Sequence, residues 1–244
     1  MSFIISLFNE ALYRPLFNGL IFLYNIIPWH DFGLAIILLT IVIRLILYPL
    51  NQKAIKSQKA LSVLQPQIKE IQAKFKGDRV KQSQALMEFY KTNKINPASG
   101  CLPLLIQLPI LIALYQVFWN GLKPESLKMI YSFISRPEVI SPWFLGLIDL
   151  SKSNWPMAIL AGVFTYVQAK MMAPLQPAAS SQPGDFGSMF GKQMLYFMPL
   201  FTVFIAWKLP AGLVLYWIVI TLFGIGQQYL VMRKNDAKRR PERA

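Results

Sequence analysis

The chain has 244 residues, of which 55% are hydrophobic and only 15% are charged, and its mean hydropathy is +0.41. Soluble globular domains are about 45–50% apolar and about 25% charged, so this composition argues against an ordinary soluble enzyme and against a disordered chain. The 25 Lys and Arg residues outnumber 11 Asp and Glu residues, which gives a net charge of +14. The composition predicts an all-α, polytopic membrane protein whose apolar and basic residues are segregated along the chain.

Residues 1–31 are predicted to be an extracytoplasmic segment that contains an amphipathic helix lying at the membrane interface. Glu10, Arg14 and Asn18 are spaced four residues apart and therefore share one helix face. Pro15 either interrupts this helix or begins it. Two alternatives remain open, a sixth spanning helix and a cleaved signal peptide, although the segment has no basic n-region and no clear small-residue cleavage site.

Five transmembrane helices are predicted from apolar runs close to the length that crosses a bilayer, about 20 residues. The first, residues 32–50, contains Arg44 as its single charge. The other four lie within residues 101–232, at Cys101–Trp119, Trp155–Met172, Met194–Trp207 and Ala211–Met232. The fourth run is too short to span alone and is expected to extend toward Phe190 or Leu209.

Residues 51–100 are predicted to form a basic helical hairpin in the cytoplasm, because apolar residues recur there at helical spacing. The pattern breaks at Gly77-Asp78, and the second helix is expected to end near Asn93. This segment has ten Lys or Arg residues against three acids, and the tail at 233–244 has six against two. The positive-inside rule places both in the cytoplasm, and five spans then put the N-terminus outside. Residues 125–134 and 143–150, on the outer side, are expected to be short interfacial helices or coil.

Arg44 is the residue that the sequence marks most clearly for function. It lies twelve residues into the first span, about 18 Å along the helix. An arginine near the centre of a span costs about 2.5–3.5 kcal/mol and usually faces a bundle interior or a water-filled cavity. No Asp or Glu occurs in any of the five predicted spans. The cation is therefore expected to be stabilised by water, anionic lipid or a transient acidic partner, while snorkelling of the side chain to the headgroups is the alternative.

Signatures of enzymes are missing from the sequence. One cysteine, Cys101, and one histidine, His30, provide neither a disulfide nor a Cys or His cluster for a metal ion. No glycine-rich phosphate loop, HExxH or GxSxG motif occurs. The sequence predicts a protein that is not an enzyme, with no cofactor, no metal site and no small-molecule substrate.

Four motifs, in order along the chain, resemble the YidC/Oxa/Alb family of membrane protein insertases. They are TIVIRLILYPL at residues 40–50, LQPQIKEIQAKFKGD at 64–78, NPASGCLPLLIQLPI at 96–110, and LPAGLVLYW at 209–217 followed by Gln227 and Gln228. The resemblance covers nearly the whole sequence, from Phe32 to about Leu230. It is to the short bacterial form, without the large extracytoplasmic domain of some members and without the N-terminal cysteine of a lipoprotein.

The resemblance implies an insertase in the bacterial inner membrane that takes client segments into a hydrophilic groove and releases them sideways into lipid, alone or beside the Sec translocon. The family's groove arginine corresponds to Arg44, and its groove glutamine and tryptophan to Gln168 and Trp217. Thr221 stands where many members have asparagine. Gln107 and Tyr216 complete the set of neutral polar groups expected to line the groove.

Newly made membrane proteins are the expected partners. For the basic hairpin and tail, contact with anionic lipid and docking of a ribosome or targeting factor both remain open. The rival function is a small-anion channel or carrier that uses Arg44 as its selectivity charge, although the sequence has no inverted repeat of broken helices. A purely structural assembly factor, which would tolerate loss of Arg44, is the third reading.

Overall fold

The computed structural model describes residues 2–96, 102–120, 124–172 and 186–239. Within these ranges the chain is mostly helical. The α-helices are α1 (Ser2–Phe8), α2 (Arg14–Ile26), α3 (Phe32–Ile46), α4 (Tyr48–Lys74), α5 (Arg79–Thr92), α6 (Leu102–Asn120), α7 (Trp155–Met172), α8 (Phe186–Ala206) and α9 (Ala211–Arg239). Short π-helical or 3₁₀ turns lie at Asn9–Tyr13, Pro28–His30 and Pro124–Met129.

The first predicted span, residues 32–50, is not one straight helix. Helix α3 ends at Ile46, and the chain bends by 67° before α4 begins at Tyr48. Pro49 explains the break, because proline lacks an N–H and its ring clashes with the carbonyl four residues earlier. The 15 residues of α3 reach about 22 Å, less than the roughly 30 Å of a typical hydrocarbon core.

Helices α4 and α5 meet at the Gly77-Asp78 step where the sequence pattern breaks. Gly77 has φ +105°, a left-handed conformation that glycine adopts readily. The carboxylate of Asp78 accepts from the Lys81 backbone N–H at 3.0 Å and caps α5. Hydrogen bonds from the backbone N–H and the side chain of Lys81 hold the pKa of Asp78 below its ordinary value. Gln82 Nε2 donates to the Gln72 carbonyl at 2.9 Å, which ties the two helices together. Their cytoplasmic location remains a prediction.

The N-terminal segment is packed onto the rest of the protein along one face of α2. Phe17, Leu20 and Ile21 are almost fully buried there, against α3 and α6. Asn18 is also buried, donating to the Met129 carbonyl at 3.1 Å and accepting from the Tyr131 N–H at 2.6 Å. Phe3, Ile5 and Leu7 of α1 are exposed. The location of this segment at the membrane interface remains a prediction, and a helix that spans the membrane remains the alternative.

Residues 143–150, which the sequence predicts to be helix or coil on the outer side, contain a small β-hairpin. Strand β1 (Trp143–Phe144) pairs antiparallel with β2 (Ile148–Asp149). Asp31 fastens this hairpin to α3, because one carboxylate oxygen caps Leu34 N at 2.8 Å and the other accepts from Leu145 N at 2.5 Å. Gly33 leaves room for the ring of Phe144, which a side chain there would strike.

Helices α6 to α9 and α3 form the bundle that surrounds the hydrophobic core. Gly162 lets α7 and α8 approach closely, since a Cβ at this position would lie 2.3 Å from the Val203 side chain. In the part of the chain that the structure describes, residues 211–233 form the one helix long and apolar enough to cross a membrane alone. The bent pair α3–α4 meets the same criterion only when its two helices are taken together. The number of crossings remains a prediction.

The predicted boundaries of the later spans differ from those of the helices. Helix α7 has the predicted ends, Trp155 and Met172. Helix α8 begins at Phe186, ahead of the apolar run, and α9 continues through Arg239 into the segment assigned to the tail. Residues 97–101, including Cys101, and residues 240–244 lie outside the described ranges.

Candidate functional site

Arg44 lies in the last turn of α3, two residues before the helix ends at the bend. Its side chain is partly buried. Ion pairs join Glu10 to Arg14, Asp78 to Lys81 and Asp149 to Lys152, and Arg44 is in none of these. The guanidinium therefore has no acidic partner in the described part of the chain. The bend also places this charge close to the end of a short helix.

Arg44, Gln107 and Tyr216 come together from three different helices. Gln107 on α6 donates from Nε2 to the hydroxyl of Tyr216 on α9. The Tyr216 side chain is 1% exposed, and Arg44 lies near enough to interact with it electrostatically. The side chain with which Arg44 interacts electrostatically, Tyr216, is thus a neutral hydroxyl. A buried hydroxyl and amide paired with each other stabilise a nearby cation without neutralising its charge.

Gln168 lies at a different level of the bundle. Its Nε2 would lie 2.3 Å from a Cβ placed on Gly224, so the amide packs directly against the backbone of α9. Gly224 is eight residues beyond Tyr216, which is about 12 Å along the helix. Gln168 therefore contacts α9 about two turns beyond Tyr216. Nothing in the sequence pattern marked Gly224 as the contact.

Trp217 and Thr221 interact with each other along α9. The Thr221 hydroxyl donates to the Trp217 carbonyl at 2.8 Å, a bond within the helix that leaves the hydroxyl no free hydrogen. Thr221 is 4% exposed, and Trp217 is partly buried against the core. In this arrangement Thr221 offers a ligand only the acceptor side of its oxygen. Among the six predicted site residues, the structure thus pairs Gln107 with Tyr216 and Thr221 with Trp217, and places Gln168 against Gly224.

The N-terminal end of α9 is closed by backbone and apolar side chains. The Ala211 and Gly212 N–H groups donate to the carbonyls of Lys152 and Leu150, at 2.8 and 3.0 Å. These bonds satisfy donors that the first turn of a helix otherwise leaves free. A Cβ placed on Gly212 would lie 3.3 Å from the Phe118 ring and 3.4 Å from the Ile36 side chain. These groups therefore cover the N-terminal end of α9, about one turn before Tyr216.

Gln227, near the end of α9, makes a contact that the sequence did not predict. In the sequence, Gln227 and Gln228 only follow the last of the four motifs. In the structure, Gln227 donates from Nε2 to the carbonyl of Tyr48, at 3.1 Å, just past the bend between α3 and α4. Gln228 is 6% exposed, and its Oε1 has no partner. A polar residue in an apolar helix was the only available signal, and it does not reveal a backbone partner 179 residues away.

Metal binding finds no support in the described residues. They contain no group of three or more His, Cys, Asp or Glu side chains that would hold an ion.

In the part of the chain that the structure describes, these observations define a mostly helical protein in which a partly buried arginine lies near a buried, paired tyrosine. The chain belongs to the family described as the 60Kd inner membrane protein, whose sequence profile matches residues 22–239. This confirms the resemblance to the YidC/Oxa/Alb insertases.

Similar proteins in several bacteria have the name "Membrane protein insertase YidC". The protein of Oleidesulfovibrio alaskensis is 34% identical over 225 residues, covering 91% of this chain and 38% of that protein. The protein of Geotalea daltonii is 36% identical over 230 residues, covering 93% and 38%. The protein of Haemophilus influenzae is 37% identical over 228 residues, covering 92% and 37%. The chain spans under two-fifths of the length of these relatives.

Proposed function

We propose that this chain is a membrane protein insertase that receives newly made hydrophobic segments at Arg44 and releases them into the bilayer. The observation that carries the proposal is the environment of Arg44. Its charge is partly buried beside the paired Gln107 and Tyr216, with no acidic partner among the described residues. The names of the relatives and the family match support the same activity.

In this mechanism the client supplies the missing negative charge. Arg44 attracts the acidic or polar outer segment of the client, because an ion pair in a medium of intermediate dielectric is worth more than one in water. The Gln107–Tyr216 pair keeps the site polar without competing as a counter-ion. The membrane potential assists outward movement of an acidic segment by about 2.3 kcal/mol per charge for each 100 mV.

The short helices support partial rather than complete crossing of the barrier. The 15 residues of α3 and the short apolar stretches Leu105–Trp119 and Leu195–Ala206 are below the usual spanning length, and short segments thin the bilayer around them. The covered outer end of α9 fits a cavity that opens inward and sideways. The client's apolar helix then leaves into lipid, driven by burial of its own apolar surface.

The proposed topology has five spans, an outer N-terminus and a cytoplasmic C-terminus, with the α4–α5 hairpin in the cytoplasm. The hairpin and tail contact clients and anionic lipid. A ribosome, a targeting factor and the Sec translocon are the further partners that the family resemblance suggests.

The test is insertion of a small, single-span client with an acidic tail into liposomes that contain only this protein, scored by protease protection. Arg44→Ala is compared with Arg44→Lys, which keeps the charge, and with Lys208→Ala, which removes an exposed cation beside Trp207. We expect Arg44→Ala alone to lose insertion. Equal protection with and without the protein would contradict the proposal, and anion flux through the same liposomes would then favour the small-anion channel.

A further inference from the structure

The first two turns of α4, from Tyr48 to Ile55, connect the α4–α5 hairpin to the helix bundle and are called the hairpin root. Asn51, Ala54 and Ile55 in the root are between 3% and 9% exposed. Beyond the root, Ile68 is the only buried residue described in α4, and none is buried among the described residues of α5. The direction of the whole hairpin is therefore set mainly by contacts at the root.

One directional contact joins the root to the last helix of the bundle. Gln227 Nε2 donates to the Tyr48 carbonyl at 3.1 Å. The orientation of this amide follows from chemistry, because a carbonyl only accepts and must face the nitrogen of the side chain. Tyr48 is the first residue after the 67° bend. The bond thus holds the start of α4 at the point where its direction changes.

Buried polar atoms without partners are concentrated at the same place. Of the four such side-chain atoms in the described part of the structure, three are Asn51 Nδ2, Gln227 Oε1 and Gln228 Oε1. These three side chains are 8%, 3% and 6% exposed. Buried polar groups in proteins are nearly always paired, so such a cluster needs an explanation other than the strength of packing. Apolar side chains would hold the root with less cost, but they would not fix its direction.

We propose that Gln227 is a positioning residue that sets the direction in which the α4–α5 hairpin leaves the helix bundle. Its bond to the Tyr48 carbonyl selects one angle at the bend. Asn51 Nδ2 in the root and Gln228 Oε1 on α9 make no bond, so the bond from Gln227 is the directional contact between the root and α9. The inference rests on this geometry, and only its consequence for client delivery rests on the proposed insertase function.

Helix α4 beyond the root is long enough that a small change in its angle at the root moves the hairpin tip by a measurable distance. From Ile55 to Lys74 the helix extends about 28 Å, so a rotation of about 10° moves the hairpin tip by about 5 Å. Lys76 at the tip and Lys170 near the end of α7 are both exposed. Replacing each with a spin-labelled cysteine, in a Cys101→Ser background, allows the distance between them to be measured by pulsed electron spin resonance in lipid nanodiscs.

The decisive comparison is Gln227→Met with Gln228→Met. Each variant removes one buried amide from neighbouring positions of α9, but only the first removes the bond to Tyr48. We expect Gln227→Met to shift or broaden the distance distribution by about 5 Å or more, while Gln228→Met keeps the wild-type distribution. Unchanged distributions in both variants, or equal changes in both, would overturn the proposal. If Gln227→Met does not fold, Gln227→Asn serves instead, because its shorter amide cannot reach the carbonyl.

The same variants then enter the insertion assay. We expect Gln227→Met to lower client insertion while Gln228→Met retains it. The distance measurement needs no activity, so the two proposals fail separately. If the distance between the two spin labels is the same in Gln227→Met as in the wild type, the positioning role is refuted. If the wild-type protein inserts no client, the proposed insertase function is refuted.

Discussion

Replacing Asp31 with alanine should destabilise the protein, because its carboxylate joins α3 to the β-hairpin. Its Oδ1 caps α3 at Leu34 N and its Oδ2 accepts from Leu145 N in the β-hairpin. Loss of an N-cap costs about 1 kcal/mol. Loss of a hydrogen bond to a charged group costs about 1.5–3 kcal/mol. The side chain is 9% exposed, so water does not replace these bonds, and the expected total is about 3 kcal/mol.

Thermal unfolding in a mild detergent measures this effect. For a protein of this size about 1 kcal/mol corresponds to about 2–4 °C in Tm, so Asp31→Ala is expected to lower Tm by about 6–12 °C. Asp78→Ala is the matched control, because Asp78 also caps a helix but has a side chain that is 44% exposed and joins no second element. We expect the control to shift Tm by less than half as much. A decrease in Tm for Asp31→Ala no larger than that for Asp78→Ala would refute the claim that Asp31 stabilises both α3 and the β-hairpin.

Three further outcomes are expected. Gly162→Ala should cost about 1–3 kcal/mol by overpacking α7 against α8, whereas Gly226→Ala, which meets nothing within 4 Å, should be neutral or slightly stabilising in chemical unfolding. Tyr216→Phe leaves its glutamine partner on α6 unpaired and should cost about 1–2 kcal/mol; a double-mutant cycle that finds no coupling between the two would contradict this. The Ser151 hydroxyl, with smaller help from Lys152, holds the pKa of Asp149 below its ordinary value. A lowered folded pKa stabilises above the unfolded value of about 3.9 and this contribution is lost as the pH falls through the folded pKa, so the stability difference between wild type and Ser151→Ala should be present at pH 7 and vanish in acid.

The sequence was most informative where local chemistry decides the structure. Gly77 and Asp78 marked the break between α4 and α5 because a left-handed glycine followed by a helix cap is a local signal. The ends of α7 followed from its apolar run. The bend after Ile46 was missed, although Pro49 was visible, because the apolar pattern continues through Leu50 and hides the change of direction.

The site was predictable in its residue types but not in its pairings. A charge inside an apolar run identifies Arg44 without any structure. The link between Gln107 and Tyr216 depends on how α6 packs against α9, across 109 residues. The same limit applies to Gln168, which packs against Gly224, and to Gln227, which binds a backbone carbonyl that no side-chain pattern records.

The central claim is that Arg44 attracts the acidic segment of a client during insertion. At a separation of about 7 Å and an effective dielectric of about 20, one unit charge contributes about 2 kcal/mol, a factor of about 30 in capture. The most direct measurement is protease-protected insertion of two forms of one client, with an acidic or a neutral tail, by wild type, Arg44→Ala and Arg44→Lys in protein-only liposomes. The account predicts that Arg44→Ala loses the acidic-tailed client by about this factor, that Arg44→Lys retains most of its insertion, and that the neutral-tailed client is affected much less. Equal insertion of the acidic-tailed client by wild type and Arg44→Ala would contradict it.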